Sequence, residues 1–250
     1  MINELDLVAL HDKFQSAQPF SYVVIDNFFE EEVANKIAEE FPKHGSDTWT
    51  VSYNNPVEIK KACSHWDKFP PSIYSALYYL CSKDFVDKLK IISGVDEIYA
   101  DYGLHGGGMH SHCHGGKLNI HKDYSVHPKL PLRRNFNVIV YMTPNWQADW
   151  GGGIEFWSHD YDKNLPKERF VRYENKFNRA VIFDTTHNSW HGLPDELTCP
   201  PDVARMSLAT YYLTPITLET ETRKKAFFTP HKDQYNDPSI MEFCKKRSQL

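Results

Sequence analysis

Several features are scarce in this 250-residue chain, and each scarcity closes a class of function. Cysteine occurs five times, at Cys63, Cys81, Cys113, Cys199 and Cys244. The count is odd, the positions are scattered and no CxxC pair occurs, which argues against a disulfide framework and against a zinc ribbon. Reduced thiols are expected. No apolar run approaches the ~18 residues of a membrane-spanning helix, the longest being pieces such as 138–142, so no membrane partner is expected. Basic runs are missing as well. The 28 Lys plus Arg stand against 33 Asp plus Glu, a formal charge of −5, without the basic stripe that a nucleic-acid surface requires. The opening residues, Met1-Ile-Asn-Glu-Leu-Asp6, are acidic where a signal peptide is basic, and a cytoplasmic location is the expectation. No HExxH motif occurs, which removes the zinc-hydrolase signature.

What is present is a well-supplied core and an unusual number of histidines. Hydrophobic residues make up 41% of the chain and aromatics 14%, enough for one well-filled domain. Histidine occurs 13 times. Five of these, His105, His110, His112, His114 and His121, fall in a segment that also holds five of the 12 glycines. Histidine is the commonest metal ligand and the usual proton carrier near neutral pH, so the question is which of them carry chemistry.

Along the chain, residues 1–96 read as a mainly helical support region, 97–214 as a β core and 215–250 as a C-terminal extension of one domain. Asn27 and Glu30 resemble a capping box ahead of Val33, Ile37 and Phe41. Ile73, Leu77 and Leu80 follow Pro70-Pro71, and Phe85, Leu89 and Ile92 precede Gly94. From about residue 97 the period becomes that of strands, at 97–102, 117–121, 134–143, 153–157, 168–173, 179–183, 189–193 and 205–214. Short strands without intervening helices predict two packed antiparallel sheets, a sandwich or jelly roll. A short helix is expected at 239–246.

His121 and Asp123 stand at i and i+2, which on a strand puts both side chains on one face about 6.5–7 Å apart. His191, 68 residues after Asp123, is the leading candidate for a third ligand. Two His and one carboxylate leave three open positions on an octahedral metal, the arrangement of non-haem Fe(II) oxygenases. Further on, Arg205-Met-Ser-Leu-Ala-Thr-Tyr-Tyr alternates strictly, so that Arg205, Ser207, Ala209 and Tyr211 share a face. An arginine and a serine pointing into a barrel suit a bound carboxylate, which the guanidinium grips through two charge-assisted hydrogen bonds.

Taken in order, His121-x-Asp123, the segments 134–146, 149–156, 178–183 and 189–194, and Arg205-x-Ser207 resemble the core of the Fe(II)- and 2-oxoglutarate-dependent oxygenases, most closely the prolyl-hydroxylase branch. The resemblance implies a mainly β fold with N-terminal helices around a double-stranded β-helix, jelly-roll or cupin-like core. It implies His121, Asp123 and His191 as iron ligands, with Fe(II), 2-oxoglutarate and O2 as cofactor and cosubstrates. Arg205, Ser207 and Tyr141 match the residues that hold the distal carboxylate of 2-oxoglutarate. Leu118 departs from the tyrosine that close relatives place three before the first ligand, and Asn119 is a candidate replacement contact. The implied reaction is hydroxylation of an unactivated C–H bond, with succinate and CO2 as coproducts. Halogenating relatives replace the carboxylate that this chain keeps at Asp123.

The substrate is left open among an amino acid, a peptide or protein residue and a small metabolite. The segment 105–116 reads as a loop leading into the strand of His121, serving as a substrate wall, a structural element or a separate metal site. His110, His112 and Trp190 are candidate substrate residues. Gly151–Gly153 reads as a turn needing positive φ or close approach rather than a phosphate cradle. His187 is expected behind the site or on the surface, and His11, His44, His65, His127, His159 and His231 show no constellation. The competing class is a non-catalytic metal- or sugar-binding jelly roll, which would have no reason to hold Arg205-x-Ser207 inside.

Overall fold

A computed structural model describes residues 1–186 and 188–249; the expectation for His187 lies outside the described residues. In chain order the elements are α1 (Leu7–Ser16), β1 (Tyr22–Ile25), α2 (Glu31–Glu40), β2 (Val51–Asn55), β3 (Glu58–Cys63), α3 (Pro71–Leu80), α4 (Lys83–Ser93), β4 (Tyr99–Ala100), β5 (Gly108–His112), β6 (Lys117–Lys122), β7 (Leu132–Tyr141), β8 (Ile154–Asp160), β9 (Leu165–Tyr173), β10 (Ala180–Asp184), β11 (Trp190–Leu193), β12 (Arg205–Pro215), β13 (Phe227–Phe228) and α5 (Pro238–Gln249).

The helices end where their sequence dictates. Pro71 opens α3 at a position whose N–H has no helical partner anyway. In α4 the Ser82 hydroxyl accepts from the Phe85 N–H, and Gly94 closes the helix at φ 73. The expected capping box on α2 does not form. Asn27 sits in a turn at φ 51, and the N-cap is Glu30, without a side-chain cap.

The strands join antiparallel in the order β1-β10-β7-β12-β5-β3-β6-β11-β8-β9, with β13 added to β6, β2 to β3 and β4 to β12. The sheet curls, because Val181 and Phe183 of β10 pack with Ile154 and Phe156 of β8, although these strands are not sheet neighbours. The opposite face of β7, β10 and β12, carrying Phe136, Val138, Val140, Ile182 and Leu208, packs on α1 to α4 through Phe14, Ile37, Ile73, Leu77, Phe85 and Leu89. Two hydrophobic layers therefore share strands, and strand alternation decides which layer each side chain enters. Among the described residues no helix is long and apolar enough to cross a membrane.

Two features differ from expectation. The first 96 residues are not only helical support, since they lend β1, β2 and β3 to the sheet. β3 pairs with both β5 and β6 and carries the sheet between them. The segment 105–116 is not all loop either, because 108–112 form β5 between β12 and β3. Histidines and glycines disguise this strand. Gly108, at φ 91, lies so close to β3 that a Cβ would stand 2.1 Å from the Cys63 carbonyl oxygen, so the glycine that looks like a hinge permits strand contact.

Candidate metal and carboxylate site

The strands β6 and β11 place His121 directly opposite His191. Asp123 follows the end of β6, its Oδ1 3.7 Å from His121 Nε2 and its Oδ2 3.8 Å from His191 Nε2. The ligand atoms of the three lie within 4.8 Å of one another, and all three side chains are buried. Each imidazole has a fixed tautomer. His121 Nδ1 lies 2.9 Å from the Asn119 carbonyl and His191 Nδ1 2.8 Å from the Ser189 carbonyl. A carbonyl only accepts, so Nδ1 carries the hydrogen and Nε2 turns a lone pair toward Asp123. Burial alone would raise the Asp123 pKa, but positive charge beside it, from the imidazoles of His121 and His191 when a proton takes a cation's place on Nε2 and from the Arg134 guanidinium 3.7 Å away, holds it well below the usual carboxylate range. His191 is pushed down to about 4, by burial first and by His121 second. Asp123 Oδ2 has no hydrogen-bond partner among the described residues. Three lone-pair donors converging without a hydrogen among them fit a divalent cation with further coordination positions to fill.

Arg205 lies on the same cavity, 3% exposed. Its Nε donates to the Gly152 carbonyl at 2.8 Å, and no carboxylate of the described residues reaches it. Burial lowers its pKa, and a buried cation without a counter-ion costs on the order of several kcal/mol. The guanidinium faces the Tyr141 ring at 4.8 Å, and the buried Tyr141 hydroxyl has no hydrogen-bond partner among the described residues. Ser207 pairs with Tyr141 in the sheet register and lines the cavity. Gly152 makes this arrangement possible. At φ 75, a Cβ there would stand 2.9 Å from Arg205 Cδ. The glycine run is the turn expected from sequence, with an additional reason in its close approach to the arginine.

Other residues meet expectation unevenly. His110 and His112 line the cavity of about 260 Å³ between the triad and Arg205. His112 pairs with Arg205 in register, and both its ring nitrogens lack partners among the described residues. Burial, followed by the Arg205 charge, keeps it neutral. Asn119 does not face the cavity. Between the pairs His191–His121 and Leu193–Leu118, β6 spends one extra residue, and this bulge puts Leu118 and His121 on the cavity side while Asn119 donates to Thr229 and Gln234. Trp190 is likewise not a wall of the cavity. It sits one residue from His191 on the other face of β11, donates to His159 Nδ1 and stacks under the Lys122 ammonium. His114 contacts the Cys199 carbonyl instead of the cavity.

Sequence reasoning missed Arg134, which is clamped between the rings of Tyr124 and Tyr211 at 3.5 and 3.4 Å. A bulge in β7 at 135 moves Arg134 onto the cavity face shared by Asn137 and Ile139. The C-terminal extension was also missed as a wall. β13 pairs with β6, and Phe228 stacks on the His121 ring at 4.7 Å.

A second cluster joins Asp101, His105 and His127, overturning the view that His127 stands alone. His127 Nε2 lies 3.1 Å from His105 Nδ1 and 3.5 Å from Asp101 Oδ1. The other nitrogen, His127 Nδ1, accepts from the backbone N–H of both Lys129 and Leu130, so the ring hydrogen is on Nε2 and points into the cluster. The Asp101 carboxylate accepts from the Gly103 and His105 N–H groups, and the His105 carbonyl accepts from Arg134 and Tyr124. This cluster satisfies itself and backs Arg134.

Two His and a carboxylate, beside a buried arginine without a carboxylate partner among the described residues, are a donor set of the kind that mononuclear non-haem iron oxygenases use. Comparison with known proteins points the same way: residues 107–213 match the model of the 2OG-Fe(II) oxygenase superfamily. Prolyl 3-hydroxylase OGFOD1 of Mus musculus is 24% identical over 215 residues, 85% of this chain. The chain spans 35% of that relative's length. Among solved structures, a Pseudomonas putida prolyl-4-hydroxylase aligns with a TM-score of 0.55 at 14% identity, over 84% of this chain and 99% of that one. HygX of Streptomyces hygroscopicus, solved with nickel, 2-oxoglutarate and hygromycin B, aligns at 0.53 and 11% identity, over 88% and 90%.

Proposed function

We propose that this chain is an Fe(II)- and 2-oxoglutarate-dependent oxygenase that hydroxylates a C–H bond of an amino acid, a peptide residue or a small metabolite. The observation that carries the reading is the pairing, across one cavity, of three hydrogen-free ligand atoms with a buried arginine that has no counter-ion among the described residues. When bound, iron with the 2-oxo acid and O2 supplies the oxidising power, and succinate and CO2 are the coproducts.

The protein's own part is positioning and exclusion of water. His121, Asp123 and His191 hold the metal from one side, their orientation set by the Asn119 and Ser189 carbonyls. Arg205 grips the distal carboxylate of the cosubstrate, and the hydroxyls of Tyr141 and Ser207 donate to the same group. Ile154 and Phe228 supply apolar walls that keep the site dry. A like fold holding nickel and 2-oxoglutarate supports the cofactor assignment, and the prolyl 3-hydroxylase relative makes a prolyl residue one substrate class. The five free cysteines suit a reducing compartment such as the cytoplasm.

The alternative, a non-catalytic metal- or sugar-binding jelly roll, leaves Arg205 without a purpose. The test is incubation with Fe(II), 2-oxoglutarate and O2 in the absence of substrate. Slow succinate formation is expected, and absence of both cosubstrate binding and turnover would contradict the reading.

A further inference from the structure

Although the chain is acidic overall, the cavity is lined by six cations, Lys60, Arg134, Arg205, Lys224, Lys225 and Arg247, and by two anions, Glu58 and Asp123. On the proposed function, Arg205 is matched by the cosubstrate's distal carboxylate, and Asp123 faces the metal and Arg134. At the mouth, Glu58 bridges Lys60 and Arg247, one negative charge between two positive ones. Burial opposes the ionisation of Glu58, but the two cations hold its pKa below the usual value. Lys224 and Lys225 are exposed, and no ion pair ties either to a carboxylate among the described residues. The mouth therefore keeps three positive charges without an anion. They come from three distant parts of the chain, the β2–β3 hairpin, the segment before β13 and α5, so no local helix or turn requirement explains their convergence. An independent feature points the same way. His112 is 2% exposed, is kept neutral by burial, and turns two unpartnered ring nitrogens into this cavity, one donor and one acceptor.

We propose that the substrate of this site carries an anionic group, a phosphate or carboxylate, which docks against Lys60, Lys224 and Lys225 at the cavity mouth while His112 hydrogen-bonds the ligand deeper in. The inference rests on the oxygenase reading, since it is the cosubstrate that occupies Arg205. Surplus positive charge in a concave, partly desolvated site attracts anions and rejects cations, acting on encounter and on specificity more than on raw affinity.

The experiment is isothermal titration of the full chain loaded with Zn(II) and 2-oxoglutarate, which needs no turnover. One pair of probes is glycerol 3-phosphate and glycerol. The other is a pair of acetylated pentapeptides bearing two glutamates or two lysines. The anionic member of at least one pair is expected to bind roughly tenfold more tightly than its partner. The preference should weaken as salt rises from about 0.05 to about 0.3 M and should be lost in Lys224→Ala/Lys225→Ala, both of whose side chains are exposed. A preference confined to the phosphate pair assigns a small anionic metabolite, and one seen with the peptides assigns an acidic polypeptide. Lack of preference in both pairs, or a preference unchanged in the double variant and in Lys60→Ala, overturns the inference. Failure of 2-oxoglutarate itself to bind overturns the oxygenase reading instead, so the two failures are distinguishable.

Discussion

Among the described residues, two clusters join two histidines to an aspartate, and they differ in where the hydrogens are. In His121, Asp123 and His191, main-chain carbonyls take the Nδ1 hydrogens and leave the Nε2 lone pairs facing a carboxylate oxygen that has no partner. In Asp101, His105 and His127, main-chain N–H groups donate to His127 Nδ1, which forces its hydrogen onto Nε2, inside the cluster. Residue type and spacing are the same in kind. The main-chain groups behind the rings leave the first cluster with lone pairs free to accept a cation, as proposed, and close the second into a hydrogen-bond network.

The largest effect that can break this comparison comes from His121→Ala or Asp123→Ala. Either should abolish metal binding and reduce substrate-independent succinate formation to background, measured on the same preparation by metal analysis and succinate assay. Next, Arg205→Ala should keep the metal but weaken 2-oxoglutarate binding by about 2–4 kcal/mol, since it removes the partner of a buried charge. Arg205→Lys should recover part of that loss, because an ammonium lacks the two-pronged geometry. Unchanged cosubstrate affinity in Arg205→Ala would remove the residue from its assigned place.

In the closed cluster, His127→Ala leaves the Lys129 and Leu130 N–H groups without their acceptor. It should cost about 1–3 kcal/mol of stability by chemical denaturation, with bound metal per chain unchanged. The smallest effect concerns an ion pair outside both clusters. Asp26 is lowered to about 2, mainly by its hydrogen bond with Arg179 and further by Lys176. A depressed carboxylate stabilises the fold above the unfolded pKa and loses that contribution as pH falls. Asp26→Asn should therefore flatten the stability profile between about pH 4 and pH 2 while leaving metal binding untouched. The pair is partly exposed, so the difference should be small.

The core strands were legible because apolar alternation marks β7, β10 and β12, and the candidate site because His121-x-Asp123 and Arg205-x-Ser207 use the same period of two. The period fails at bulges. One extra residue in β6 turns Asn119 away from the cavity, and one in β7 turns Arg134 into it. Neither shift is visible without the partner strand, since a bulge is defined by pairing. β5 was hidden for another reason. Its Gly-Met-His-Ser-His composition has weak strand character, and it is held by neighbours on both sides. Likewise Lys60, Lys224 and Arg247 meet only because β3, β13 and α5 converge on the cavity, and a basic patch assembled from such separated positions leaves no run in the sequence. His127 looked isolated because its partners lie 22 and 26 positions earlier and are reached by side-chain contacts alone.

The central claim is that one of the two histidine clusters takes a metal and the other does not. Anaerobic equilibrium dialysis against Fe(II), with and without 2-oxoglutarate, tests it most directly when the parent chain is compared with Asp123→Ala and His127→Ala. One equivalent per chain, tightened by 2-oxoglutarate, lost in Asp123→Ala and kept in His127→Ala, is the predicted result. Two equivalents in the parent, or one that survives Asp123→Ala and disappears with His127→Ala, would contradict it.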